Sequence, residues 1–366
     1  MIFFIRSTDA LNDPRLQKYL GFTTSHNIGF RVVAWNRSST ALVKENYIFF
    51  NRSSRYGAGI KNLIGLMLFN LFIIRVLVRN RKEVDIIHAC DFDTIVPAML
   101  FKKLFGKKLI YDIFDWYVDS RAVSNPLLKG IILKMETVCL KNADATILCE
   151  EERVNQLVVQ PKTLWILPNI PDLQSFEPQI QPRSSSKICL SYVGILSPER
   201  GLEKVIRFVS THPDHFELHL AGMGQLQGEI VALVKTADNI FFYGEVPYQS
   251  GLNLMKNSDL IIALYEKTNP NHIYAAPNKY YEGLFLGIPI LTTEDTLVGH
   301  KTAKHKTGFV IGENYEDMER FFQSSMSVSE MRESGARGFA LWKLKYSGYI
   351  RDFMTNIYSV FVSGSN

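Results

Sequence analysis

Two series of short runs rich in β-branched and aromatic residues, spaced by longer helical segments, organise this chain of 366 residues. The first comprises IFFI (2–5), FRVVAW (30–35), YIFF (47–50), DIIHAC (85–90), KLIYDIF (108–114), ATILC (145–149) and TLWIL (163–167). The second comprises ICLSYVGI (188–195), FELHLAG (216–222), IFFYGEV (240–246), LIIALY (260–265), PILTT (289–293) and GFVIG (308–312). Strands that alternate with helices form parallel, doubly wound sheets, and near-continuous apolar runs mark strands covered on both faces. The expected fold class is therefore α/β, with two Rossmann-like doubly wound parallel-sheet domains. Between the two series, PNIPDLQSFEPQIQPRSSSK has four prolines and a serine run, which reads as a connection. We expect an N-terminal domain over 1–175, a linker at 176–186, a C-terminal domain over 187–335, and closing helices at 336–366 that pack back toward the first domain.

An apolar fraction of 46% and a charged fraction of 21% are those of a globular protein. The net charge of +5 suits an anionic ligand or an anionic membrane surface and is too small to argue for nucleic acid. Cys90, Cys139, Cys149 and Cys189 form no C-x-x-C pair, so they read as small core residues in a reducing cytoplasm. IFFI is too short for a signal segment and has no basic stretch before it, which fits a buried first strand. Segment Ile60 to Lys82 is apolar almost all round, with Lys61, Arg75, Arg79 and Lys82 in one sector of the helix. Charges inside the run argue against a membrane span. Two readings stay open: a helix packed on the sheet with its charged stripe in solvent, or an interfacial helix facing anionic headgroups at the inner face of the membrane.

The residue types that carry chemistry gather in the second half. In AAPNKYYEGLFLGIPIL (275–291) a proline precedes a helical run, Gly287 stops it, and a strand follows. Lys279 falls near the helix start, where the macrodipole favours negative charge, so an external anion would account for it. Asn278 and Glu282 flank it. In YVGILSPERGLEKVI (192–206) a strand ends at Gly194 and a helix begins near Gly201, with Arg200 at the junction. Glycines admit a ligand to the backbone, and an arginine there can fork onto phosphate oxygens. Gly222 and Gly224 suggest a dinucleotide turn, but the next glycine is one residue late for G-x-G-x-x-G, and the signal is weak.

Taken in order, VGxLxxxRGL, LAGxG, the Gly244–Pro247 turn and PNKxYExLxxGxPIL resemble the donor half of family 4 glycosyltransferases with the GT-B fold. IIHACDFDT (86–94), LIYDIFDWY (109–117), NADATILCEEE (142–152) and LPNIPDLQSF (167–176) extend the resemblance through the first half. The resemblance implies two Rossmann-like domains facing a cleft. It implies retaining transfer from a nucleotide diphosphate sugar to an acceptor, with a saccharide or lipid-linked acceptor in cell-surface polysaccharide or glycolipid synthesis as the expected setting. No metal or other cofactor is expected, which leaves the diphosphate to side chains and a helix N-terminus. Arg200 and Lys279 are the candidates for that task, with Glu282 for the ribose hydroxyls. Gly194, Gly201, Gly222, Gly244, Val246 and Asn278 complete the expected donor site.

Three positions depart from the family pattern. Tyr274 stands where a glutamate near the transferred sugar is usual, Ile195 replaces an arginine, and Phe114 falls near an expected histidine. Asp112 or Asp115 would then assist on the acceptor side, and Asp115, next to Trp116, is the preferred catalytic candidate. Arg15, His88 and Asp91 are further acceptor-side candidates. Each also has a structural reading: Asp13 and Pro14 can start a helix at Arg15, and Asp91 can cap one. Two alternatives to transfer stand: a nucleotide-sugar epimerase of the same fold, and a non-catalytic donor-binding partner in a synthase complex.

Overall fold

The computed structural model describes residues 1–364 apart from 39, 55–59, 122, 172, 174–175, 181–185 and 325–326. The side chains of Ile60 and Lys61 also lie outside the description, as does most of the serine run in the expected linker.

Every strand run read from the sequence forms a strand. The first sheet holds β1 (Ile2–Arg6), β2 (Phe30–Asn36), β3 (Tyr47–Asn51), β4 (Ile86–Cys90), β5 (Lys108–Ile113), β6 (Ala145–Leu148) and β7 (Leu164–Ile166). Its order is β3-β2-β1-β4-β5-β6-β7, parallel throughout. The second holds β8 (Ile188–Val193), β9 (Phe216–Ala221), β10 (Ile240–Phe242), β11 (Leu260–Ala263), β12 (Ile290–Thr293) and β13 (Gly308–Ile311). Its order is β10-β9-β8-β11-β12-β13, again parallel. In each sheet the winding reverses once, between β1 and β4 and between β8 and β11. Loops diverge outside the carboxyl ends of such strands, where doubly wound sheets bind ligands.

The chain divides into two compact units, Met1–Pro168 with Ile350–Asn366, and Asn169–Tyr349. These bounds differ from the expected ones at both crossings. The stretch from Asn169 onward makes its contacts in the second unit, as where Asn169 Nδ2 donates to the Ala276 carbonyl at 2.9 Å. At the other end, helix Val328–Leu341 runs unbroken across the expected boundary at 335 and packs on helix Asn278–Leu286. Only the last segment joins the first unit, where Phe353 and Phe361 meet Trp165 edge-on at 6.2 and 5.2 Å.

Each unit has its own core. In the first, Phe3, Ile5, Trp35, Phe69, Ile73, Leu77 and Tyr111 pack on one face of the sheet. In the second, Leu190, Leu202, Val205, Phe208, Leu218 and Ile262 do so. The four cysteines are free and buried, as small core residues should be.

Candidate functional site

The second unit gathers its polar groups at the carboxyl ends of β8, β9 and β10. Backbone bonds continue between the loops beyond the strands: Gly194 N donates to Ala221 O at 2.9 Å, Gly222 N to Gly244 O at 2.7 Å, and Leu196 N to Met223 O at 2.9 Å. Gly222 has φ of 135°, and a Cβ there would stand 1.8 Å from the Gly194 carbonyl oxygen. No other residue fits, so the glycines that suggest a dinucleotide turn serve to bring two loops together. Gly194, at φ 148°, leaves its side-chain space to Lys279, whose Nζ lies 2.7 Å from where a Cβ would be.

Lys279 reaches this loop from helix Asn278–Leu286, which ends at Gly287 in the left-handed conformation, as its sequence requires. Its ammonium sits 4.5 Å from the centre of the Tyr192 ring. Burial lowers its pKa to about 8, with Glu282 opposing the change and the Arg200 charge adding to it. Arg200 closes a 3-10 turn, Pro198–Arg200, before Gly201 and helix Leu202–Thr211. Its guanidinium lies 4.7 Å from the centre of the Tyr265 ring, just past the end of β11. Among the described residues neither Lys279 nor Arg200 makes an ion pair. Two cations thus share one end of the sheet, at the reversal between β8 and β11, without a counter-charge in contact. One turn along the same helix, Glu282 is 5% exposed and accepts from the Tyr248 hydroxyl at 2.9 Å. Burial raises its pKa, while Lys279 and the Tyr248 hydrogen bond hold it down.

Asn278 is exposed at the start of the helix, and Gly201 makes the turn before helix Leu202–Thr211. Val246 lies apart from the cations, in the wall of a cavity of about 360 Å³ with Tyr243 and Asn253. That cavity also holds Cys189, Glu217 and His219, whose ligand atoms lie within 4.8 Å of one another. Sequence reasoning passed over Tyr192, Tyr248 and Tyr265, the aromatic walls and the carboxylate's partner. Their signal is faint, because Tyr192 and Tyr265 stand in apolar strand runs, where a tyrosine reads as core, and Tyr248 opens a helix with no motif around it.

In the first unit the structure corrects the acceptor-side reading of three residues. Arg15, His88 and Asp112 are fully buried in one network. Arg15 clasps Asp112 through Nη2 at 2.7 Å and gives Nη1 to the Leu167 carbonyl at 2.6 Å. Tyr19 donates to Asp112 at 2.7 Å, His88 Nε2 lies 3.3 Å from the same oxygen, and His88 Nδ1 is 2.9 Å from the Tyr358 hydroxyl. Burial alone would raise the Asp112 pKa, but the Arg15 guanidinium and hydrogen bonds from His88 and Arg15 hold it well below the carboxylate range. Burial lowers that of His88. These groups fasten the terminal segment to the sheet and offer no surface to an acceptor. Asp13 and Pro14 start helix Pro14–Ser25 as expected, with Asp13 accepting from Arg15 N at 3.0 Å.

Asp91 and Asp115 lie together just past the carboxyl ends of β4 and β5, where Asp91 N donates to the Asp112 carbonyl at 2.9 Å. Asp91 pairs with Arg6 and accepts from Phe114 N at 2.8 Å, so it holds the loop after β5 and does not cap the helix that follows it. Burial raises its pKa to about 6, against Arg6 and with help from Asp115. Asp115 is the exposed member, its carboxylate 3.4 Å from Arg153.

Residues 174–337 match the family described as glycosyl transferases group 1. The matched segment lies within the second unit. The chain also matches solved structures along nearly its whole length. Sucrose-phosphate synthase from Thermosynechococcus elongatus matches with a TM-score of 0.74 and 13% identity over 100% of both chains. Anabaena HepE in complex with UDP matches at 0.69 and 13% over 99% of each. WaaG, a glycosyltransferase involved in lipopolysaccharide biosynthesis, matches at 0.68 and 14% over 97% of this chain and 100% of that one. At such identities the likeness establishes the fold, two parallel-sheet α/β domains of the GT-B kind. No curated protein matches the sequence.

Proposed function

We propose that the protein is a glycosyltransferase that moves a sugar, with retention at the anomeric carbon, from a nucleotide diphosphate sugar to a saccharide or lipid-linked acceptor. The observation that carries this reading is the pair of cations at one end of the sheet, Lys279 against Gly194 and Arg200 against Tyr265, neither with an ion pair among the described residues. A diphosphate supplies the missing charge. Amide groups at the start of helix Asn278–Leu286 favour the same anion. Glu282, held by Tyr248, is the acceptor for ribose hydroxyls. Complexes of Anabaena HepE with UDP and with UDP-glucose support a nucleoside diphosphate as the ligand class.

In the reaction the sugar–phosphate bond breaks as the acceptor oxygen approaches from the same face. The departing phosphate takes the acceptor's proton, while Lys279 and Arg200 stabilise the growing diphosphate charge. These cations do the work a metal would otherwise do, so activity should persist in EDTA. Asp115, exposed beside Trp116, is the remaining candidate on the acceptor side. The setting we assign is synthesis of a cell-surface polysaccharide or glycolipid at the inner face of the membrane.

Lys279→Ala should lower turnover by about 10²-fold or more, the loss typical of removing one group that stabilises transition-state charge. Its melting temperature should stay near that of the parent. Chromatography of released nucleotide and mass analysis of the acceptor check both halves of the claim. Normal turnover in the variant overturns the cation assignment. Free isomerised sugar would identify an epimerase, and donor binding with neither product a non-catalytic partner.

A further inference from the structure

The outer side of the first unit's helical layer is apolar. Helices Ile60–Arg79, Phe92–Phe105 and Pro126–Asn142 precede β4, β5 and β6 and lie side by side on the face of the sheet that carries the main core. Helix Ile60–Arg79 turns Phe69, Ile73 and Leu77 inward, yet Met67 and Leu71 on its opposite side are 62% and 63% exposed. The next two helices add Leu104 at 75% and Leu127 at 76%. All three contribute to one open groove of about 340 Å³, with Met67, Leu71, Val96, Leu100 and Met135 in its wall. The apolar surface therefore runs from helix to helix, and a contiguous exposed apolar patch of this kind marks an interaction site.

Charge selects the partner. Among the described side chains of the three helices the acids Asp93 and Glu136 are buried and Lys102 pairs with Asp144, whereas Arg75, Arg79, Lys103, Lys129, Lys134 and Lys141 are exposed. Among the described residues none of these six cations makes an ion pair. A second copy of the same face would bring like charges together. A bilayer of anionic lipids meets both demands, taking the leucines and methionines at its acyl boundary and the cations at its phosphates.

We propose that this three-helix face is a membrane-docking surface for anionic bilayers, on which the protein lies without spanning. Among the described helices, Asn62–Arg79 is long and apolar enough to cross a bilayer, but its inward side is committed to the sheet. The surface thus extends the interfacial reading of Ile60 to Lys82 to two further helices. It stands apart from the donor site, which belongs to the other unit, and either can fail without the other.

The test is co-sedimentation of the full chain with vesicles of phosphatidylcholine alone or mixed with phosphatidylglycerol. The chain should pellet with the mixed vesicles and less with the neutral ones. Met67→Glu with Leu71→Glu should abolish pelleting. Arg75→Glu with Arg79→Glu should weaken it by at least about tenfold, since each surface cation contributes appreciably near anionic headgroups. Unchanged circular dichroism and an unchanged melting temperature would show the variants folded. A chain that stays in solution with anionic vesicles overturns the proposal. So does equal binding to neutral vesicles, or a dimer in light scattering that Met67→Glu with Leu71→Glu dissociates.

Discussion

Lys279 is the residue on which the donor site turns, and its environment makes the site sensitive to pH. Burial beside Tyr192 and Arg200 leaves its pKa at about 8, so near neutrality it is mostly charged and above pH 8 mostly neutral. A diphosphate binds the charged form. Affinity should therefore fall as pH rises from 7 to 9, and Lys279→Arg, always protonated, should flatten that profile in calorimetric titration. Glu136 gives the opposite kind of case, a cost to stability. It is fully buried with its Oε2 unpartnered, its Oε1 accepts from Tyr111 at 3.0 Å, and burial raises its pKa to about 8. Between the ordinary carboxyl value and 8 the folded state holds the proton and the unfolded state does not, so stability declines as pH rises through this window. Urea denaturation at pH 5 and pH 8 should reveal the decline. Glu136→Gln should reduce it by about 1 kcal/mol or more, the equivalent of one pKa unit. Lys279, Arg200 and Glu282 were legible as a charged group at loop and helix starts. Arg15, His88 and Asp112 were misread because composition does not tell whether a charge at a strand end points outward or meets a partner. Here the partner, Tyr358, is 270 residues away from His88.

At the scale of elements, the strands were legible because parallel strands buried on both faces must be apolar throughout, whatever the order of the sheet. The loops that follow them were not. Their shapes depend on contacts such as the close approach of Gly222 to Gly194, which a G-x-G pattern equally well attributes to a nucleotide fingerprint. Gly222→Ala would force these loops apart and should cost about 1–3 kcal/mol, as overpacking does. It should also weaken nucleotide binding, because Gly194 and Lys279 move with the loop. Thermal melts with and without nucleotide separate the two effects. The fastening of the terminal segment rests on fewer contacts. Tyr358→Phe removes one buried hydrogen bond to His88 and should lower stability by about 0.5–1.5 kcal/mol, measured by denaturant titration.

At the scale of the molecule, two units are built on one plan, and the chain's ends close the first of them. Residues 350–366 belong with the N-terminal sheet through Trp165, His88 and Lys108, whose Nζ donates to the Gly364 carbonyl at 2.8 Å. That return was expected of the closing helices, but its starting point was not legible, because helix Val328–Leu341 continues across the change in sequence character near Gly335. The proline- and serine-rich stretch likewise starts where the second unit does, at Pro168 and Asn169, and does not separate the units. Proline content marks where helices and strands cannot run, whereas a unit's boundary is set by what the backbone touches. The account's central claim is that Lys279 and Arg200, which make no ion pair among the described residues, form the diphosphate site of a nucleotide-sugar donor. Thermal-shift titration of the full chain and of Lys279→Ala with UDP, GDP and ADP tests it most directly, since a ligand bound only by the native state raises the melting temperature with concentration. The account predicts a rise with at least one of the three nucleotides that the variant loses. No rise with any of them, or the same rise in the variant, would contradict it.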